Sequence, residues 1–209
     1  MTRLVECIPN FSCSKEKDEA AYNALVEVAN SVPGCTLFDA QTDGNHNRCV
    51  FTLIGTPEAV EEVAFRLTKK AAEVIDMTKH HGEHSRMGAT DVIPFVPTVN
   101  VTVEECVEIS KRLGKRIWEE LQIPSFLYED SATSPDRVNL ANVRKGQFQG
   151  WRSFAGLPSH CTLRPLARLP RSRGAAEPHS RTRRLWGCSV LHSPPLFDVS
   201  ISRSLVTCD

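Results

Sequence analysis

The chain has 209 residues, of which 41% are hydrophobic and 24% charged, and its formal net charge is zero. That length fits one domain with an extension or two small domains, and the balanced charge gives no general reason to expect nucleic acid or a membrane as partner. The N-terminus MTRLVECIPN lacks the apolar core of a signal peptide, and no apolar run approaches the ~18 residues of a membrane span. We therefore expect a cytoplasmic protein.

Charge and composition divide the chain near residue 150. Residues 1–150 carry 16 Lys and Arg against 22 Asp and Glu, whereas residues 151–209 carry nine Arg, no Lys and three acidic residues. The second segment also holds six Pro and nine Ser and shows no hydrophobic periodicity, a composition typical of disorder. We expect a folded domain over 1–150 and a disordered, Arg/Pro/Ser-rich tail over 151–209. The eight cysteines are widely spaced without a C-x-x-C pair, which favours reduced thiols over a disulfide framework.

The domain begins with alternating strand and helix patterns. RLVECIPNFS (3–12) is typical of a strand that ends in a Pro-Asn turn, and Ser14 is placed to cap a helix whose apolar residues step by three and four. CTLFDA (35–40) and RCVFTLIG (48–55) are predicted strands. TDGNHN (42–47) joins them, and its Asp-Gly pair indicates a hairpin turn.

A second helix and an unusual strand follow. TPE (56–58) combines a cap, a first-turn proline and a first-turn acid, and the helix that it opens should end near Asp76. TDVIPFVP (90–97) is apolar but contains two prolines, so it must be an edge strand or an irregular one.

The remaining elements complete the predicted fold. TVEE (102–105) fits the capping box of a third helix, SFLYED (125–130) is a predicted short strand, and NLANVRKGQ (139–147) a short terminal helix. The order β-α-β-β-α-β, followed by an extra α-β unit, indicates an α+β fold with a ferredoxin-like sheet and helices on one face.

The stretch KHHGEHSRMGATDVIPFVP (79–97) holds His80, His81 and His84 close together. H-x-x-E-H fits a zinc-protease pattern, but that chemistry needs a continuous helix, and Gly82 interrupts the motif. We therefore expect no metal. A solvated polar loop and an acid–base site both remain open from the residues alone. The loop that holds Arg86, Gly88 and Asp91 favours the acid–base site. It can bring a guanidinium group and an open backbone into one cleft with an imidazole, which titrates near neutral pH.

Several motifs together resemble the N-terminal subdomain of glutamate formiminotransferase. They are VECIPNFS (5–12), NR (47–48), IDM (75–77), H-x-GEH-x-RMGA-x-DV-x-PF-x-P (80–97) and RKGQFQG (144–150).

The resemblance implies a folate-binding cleft and transfer of a formimino group from N-formiminoglutamate to N5 of tetrahydrofolate. It implies that His84, the histidine of GEH, is the general base. Arg48 and Arg86 are the candidates for binding the carboxylates of the glutamate-bearing ligands, with ordinary ion pairs or turn contacts as the alternative. Asn10 would bind the pterin or the substrate, or else cap its own turn, and Gly88 would leave the backbone open to a ligand.

Enzymes of this family carry a second subdomain after the first, and residues 151–209 show neither its length nor its pattern. The resemblance therefore implies weak or absent activity, or a cleft that is completed by a homodimer. The alternative is a non-enzymatic binding or regulatory relative whose basic tail is an interaction arm. A nucleic-acid binder is disfavoured because few aromatic residues lie between the scattered arginines of the tail.

Overall fold

The computed structural model describes residues 1–145, so the predicted tail lies outside the described residues. Within this part the predicted α+β class is confirmed. The helices and strands, in chain order, are β1 (Leu4–Cys7), β2 (Asn10–Phe11), α1 (Glu19–Ala29), β3 (Cys35–Asp43), β4 (Arg48–Gly55), α2 (Pro57–Val74), β5 (Thr90–Val92), β6 (Phe95–Val99), α3 (Val103–Leu121) and α4 (Leu140–Val143).

All strand pairs in the sheet are antiparallel. Strand β4 pairs with β3 along one edge and with β1 and β2 along the other. Strand β6 lies beyond β1, and β5 lies beyond β2. The short strands β1 and β2 thus share one line of the sheet, as do β5 and β6, and the lines run in the order β3, β4, β1/β2, β6/β5.

Prolines break two of these lines at neighbouring points. The backbone N–H of Ile8 donates to the carbonyl of Pro94 at 3.0 Å, and the carbonyl of Pro9 accepts from Phe51 at 3.0 Å. The irregular edge predicted for residues 90–97 is therefore confirmed. The first strand does end before Pro9, but the chain then re-enters the sheet for Asn10 and Phe11, because a proline removes only one ladder donor.

The predicted cap of the first helix is wrong. Asp18, rather than Ser14, caps α1: its Oδ1 accepts the backbone N–H of Ala21 at 2.9 Å. The carbonyl of Ser14 instead accepts from Lys17 and Asp18 in a preceding turn. The other two predicted caps are confirmed, Thr56 on α2 and the capping box of Thr102 with Glu105 on α3.

The predicted strand at 125–130 is also wrong. Only Glu129 makes a β-bridge there, and its φ of 52° belongs to a turn. The carbonyl of Tyr128 accepts from Ser131 within that turn, while Leu127 and Tyr128 are buried. The apolar residues therefore anchor an irregular segment instead of extending the sheet. The terminal helix is present but spans only Leu140–Val143.

The core lies between the sheet and the three long helices. Helix α2 packs against α1 on one side and α3 on the other, and also against β1 and β4. Phe11, Phe51 and Phe95 are fully buried, and Phe11 and Phe51 meet edge to face with ring centroids 5.4 Å apart. The five cysteines in the described part are free, as predicted, and all except Cys35 are buried. In residues 1–145 no helix is long and apolar enough to cross a membrane.

Candidate functional site

Three polar residues meet where the broken strands begin beside β4. Arg48 is the first residue of β4, Asn10 is the first of β2, and Asp91 lies within β5. The registers place Asn10 opposite Val50 on one side and opposite Val92 on the other. Because neighbouring strands lie about 5 Å apart, this pairing brings the three side chains together despite their separation in sequence.

The guanidinium of Arg48 is enclosed by these partners. Its Nε and Nη2 donate to Oδ1 of Asn10 at 3.0 and 2.7 Å, and its Nη1 donates to Oδ2 of Asp91 at 2.9 Å. Asn10 also donates through Nδ2 to the carbonyl of Ile8 at 2.7 Å, so it holds its own turn and the arginine at once. Arg48 and Asn10 are both buried, which makes this arrangement rigid.

Asp91 connects further parts of the chain to the same point. Its side chain is 1% exposed and accepts from Arg144 Nη2 at 2.5 Å as well as from Arg48. Its other oxygen accepts the backbone N–H of Met87 at 2.9 Å. One carboxylate therefore holds two guanidinium groups and the histidine-containing loop, so the net charge of this buried group is positive.

His84 lies directly against Arg48. Its Nδ1 lies 2.5 Å from the carbonyl of Ser85, and Arg48 Nη1 lies 2.6 Å from Nδ1 and 3.1 Å from Nε2. A carbonyl only accepts hydrogen bonds, so we assign the proton of the neutral ring to Nδ1. The approach of Arg48 to Nδ1 is then a contact between two donors, and its hydrogen bond goes to Nε2. In this arrangement Nε2 is the basic nitrogen of the ring.

The surroundings keep His84 uncharged. Its pKa is lowered from the ordinary 6.5, first because partial burial disfavours the charged ring and second because the Arg48 guanidinium lies beside it. At neutral pH the ring is therefore a free base that can accept a proton.

The β3–β4 turn supports the loop that carries His84. Asn47 donates through Nδ2 to the carbonyl of His81 at 3.1 Å, and the ring Nε2 of His80 donates to the carbonyl of Asn47 at 3.0 Å. A Cβ added at Gly82 would lie 2.2 Å from the carbonyl oxygen of His46. Only glycine fits so close to this backbone, which explains the glycine that precedes Glu83 and His84.

The structure brings His84, Arg48 and Asn10 together, whereas Arg86 and Gly88 make contacts that support the loop. Arg86 donates through Nη2 to the carbonyl of His80 at 3.1 Å, and the carbonyl of Gly88 accepts from Ser12 Oγ at 2.7 Å.

Sequence reasoning gave no site role to Arg144 or to the buried carboxylate of Asp91. Their signals were the motifs RKGQFQG and DV, which mark the residues but do not reveal that they form an ion pair. Helix α2 ends at Val74, as predicted before the histidines, so the H-x-x-E-H pattern lies on a loop. Within residues 1–145, no group of three or more His, Cys, Asp or Glu side chains is placed to hold a metal ion.

These features define an α+β domain with a neutral, arginine-bound imidazole at the end of its sheet. Comparison with known proteins gives the family. The model of the formiminotransferase domain, N-terminal subdomain, matches residues 4–172. The chain belongs to this family, and it is a formiminotransferase-like domain.

Curated relatives agree with this assignment. The chain is 60% identical over 150 residues to a glutamate formimidoyltransferase of Streptococcus pyogenes serotype M1, covering 72% of the chain and 50% of the relative. It is 45% identical over 146 residues to the glutamate formimidoyltransferase of Thermoplasma acidophilum, covering 70% and 48%. It is 48% identical over 150 residues to a formimidoyltransferase-cyclodeaminase of Dictyostelium discoideum, covering 72% and 28%. The chain thus matches about half or less of the length of these proteins.

Proposed function

We propose that this chain binds a reduced folate and a formimino derivative of glutamate beside His84, and that it transfers the formimino group to N5 of tetrahydrofolate. The observation that carries the proposal is a half-buried imidazole, held neutral against the buried guanidinium of Arg48. The names of the relatives, glutamate formimidoyltransferase and formimidoyltransferase-cyclodeaminase, support this reaction class.

In the proposed reaction, N5 of the folate attacks the formimino carbon and His84 accepts the N5 proton at Nε2. The N5–C bond forms, the bond from carbon to the glutamate nitrogen breaks, and glutamate leaves as an amine when that nitrogen gains a proton, which balances the proton lost from N5. Arg48 donates to Nε2 in the absence of ligand, so the incoming N5–H displaces this contact. The hydrogen bond from Nδ1 to the carbonyl of Ser85 then keeps the imidazole oriented, and such positioning lowers the entropic cost of the reaction.

The arginines take different proposed roles. Arg48 has its Nε, Nη1 and Nη2 in contact with Asn10, Asp91 and His84, which suits a positioning role better than direct binding of ligand. Arg86 is half-buried on the same loop as His84 and remains our candidate for a ligand carboxylate. Gly88 is the proposed point where ligand approaches the backbone.

We also propose a specific topology for the sheet, the ferredoxin-like one. The strand lines run in the order 4-1-3-2 when they are numbered along the chain, with a helix after the first and after the third. This order supports a ferredoxin-like topology with the helices on one face of the sheet.

Thermal unfolding with folinate tests the binding site. A ligand at 100 times its Kd should stabilise the folded chain by about 2.7 kcal/mol. We expect an upward shift of Tm for the full chain and a smaller shift for Arg86→Ala. The matched control Arg66→Ala, which removes an exposed arginine paired with Glu62 on α2, should shift like the unsubstituted chain. The absence of any shift at millimolar folinate would refute the proposed site.

A further inference from the structure

A second imidazole lies beside His84, in the turn between β3 and β4. The ring centroids of His46 and His84 are 5.9 Å apart, with an angle of 74° between the ring planes. The His46 Nδ1 lies 2.7 Å from Oδ2 of Asp43. The other oxygen of Asp43 accepts the backbone N–H groups of Asn45 and His46 at 2.8 and 3.1 Å, so the turn itself orients the carboxylate.

This pairing assigns a role to each nitrogen of the His46 ring. A carboxylate only accepts hydrogen bonds, so Nδ1 carries a proton toward Asp43, and Nε2 is the position that exchanges protons. The hydrogen bond from His46 in turn lowers the pKa of Asp43, so the carboxylate is ionised at neutral pH. The side chain of His46 is 31% exposed, so a ligand can reach it.

The proposed reaction needs a proton donor as well as a base. The glutamate nitrogen leaves as an amine only if it gains a proton when its bond to carbon breaks. His84 is engaged with the N5 proton during this step, so a second group is needed to supply the proton for the glutamate nitrogen. His46 fits this role by position, because its Nδ1 is held by the Asp43 carboxylate and its ring centroid lies 5.9 Å from that of His84.

We propose that His46 is the general acid of this reaction, an inference that rests on the proposed function. His84 takes the proton from N5 while His46 delivers the proton on its Nε2 to the departing glutamate nitrogen. The N5–C bond forms and the C–N bond to glutamate breaks, so one proton leaves the folate and one joins the product. Transfer of a proton from His84 to His46 restores both rings, and the net reaction neither gains nor loses a proton.

The kinetic test uses the full chain and three variants. His46→Gln should lower kcat by roughly 10²–10⁴-fold, the usual contribution of a positioned acid, and leave KM unchanged. Asp43→Asn should also lower kcat, because its amide oxygen can still accept from the turn while its NH2 group cannot accept the hydrogen bond from His46 Nδ1. His81→Gln, which removes an exposed imidazole from the adjacent loop, should behave like the unsubstituted chain. A His46→Gln variant with unchanged kcat would overturn the inference.

A second measurement separates this inference from the proposed function. Folinate should move the ring ¹H–¹⁵N resonances of both His46 and His84. Movement of the His84 signals with no change at His46 would overturn the role of His46 and leave the proposed function standing. If folinate causes neither a thermal shift nor any ring movement, the proposed function fails, and the inference fails with it.

Discussion

At the scale of single residues, Asp91 maintains the charge balance of the site. Its carboxylate forms ion pairs with both Arg48 and Arg144, and its side chain is 1% exposed. A buried ion pair often contributes little to the free energy of folding, because removing both charges from water is costly. Removing one member of the pair destabilises the fold, because it leaves the other charge buried and uncompensated.

Replacing Asp91 by Asn should therefore destabilise the fold strongly. Two buried guanidinium groups would lose the carboxylate that they share, at a cost of about 3–5 kcal/mol in the free energy of unfolding. Urea denaturation of the variant and the unsubstituted chain measures this cost. Glu73→Gln is the control, because it removes an exposed carboxylate paired with Lys70 and should cost about 0–1 kcal/mol. Equal effects of the two substitutions would contradict the account of Asp91.

The sequence motifs were enough to single out His84, Arg48 and Asn10, but not the contacts between them. Asp91 and Arg144 are 53 positions apart, and no local pattern shows that one carboxylate meets two arginines. The family resemblance made Arg48 a candidate for ligand carboxylates, with an ordinary ion pair as the alternative, and the sequence did not show that Asp91 would be its partner. Likewise His46 looked like part of an ordinary hairpin turn, because its closeness to His84 depends on how two distant loops pack.

At the scale of elements, the site depends on contact between the β3–β4 turn and the loop that follows α2. The backbone N–H of Glu83 donates to the carbonyl of Asn45 at 3.4 Å, and Gly82 touches the carbonyl of His46. The turn thus sets the position of His84 as well as that of His46.

Gly82→Ala should disturb this contact and Gly88→Ala should not. The new Cβ at Gly82 would lie 2.2 Å from a backbone oxygen, whereas at Gly88 its nearest contact would be Thr90 O at an ordinary 3.5 Å. We expect a lower Tm for Gly82→Ala and nearly unchanged stability for Gly88→Ala. If ligand approaches the backbone at Gly88, that second variant should still lose folinate affinity. A Gly82→Ala variant with unchanged Tm would show that the two loops do not pack as described.

Local sequence signals predicted most helices and strands correctly where the side-chain pattern and the backbone contacts favoured the same structure. Thr56 and the Thr102–Glu105 pair marked helix starts correctly, because each cap is an interaction within one turn. The prediction that Ser14 caps α1 was wrong because Asp18 lies four residues later and provides a better-placed oxygen. The strand predicted at residues 125–130 was wrong because two buried apolar side chains can anchor a turn as well as a strand. Apolar content alone does not distinguish a strand from a turn.

At the scale of the whole molecule, the order of strands and helices as far as α3 was predicted correctly, because helical and alternating patterns follow one another clearly in the sequence. The break in the first strand line did not follow, since it depends on Pro94 lying beside Ile8 in the sheet. That break places Asn10 and Asp91 beside Arg48. A tertiary contact, from the backbone N–H of Ile8 to the carbonyl of Pro94, therefore determines where the proposed site lies.

The most direct test of the central claim is the rate of formimino transfer to tetrahydrofolate by the full chain and by His84→Ala, with His81→Ala as the matched imidazole control. We expect His84→Ala to lose roughly 10²-fold or more in kcat and to keep its thermal shift with folinate, and His81→Ala to change neither. Measurable turnover that is unchanged in His84→Ala would contradict the claim that this imidazole is the general base.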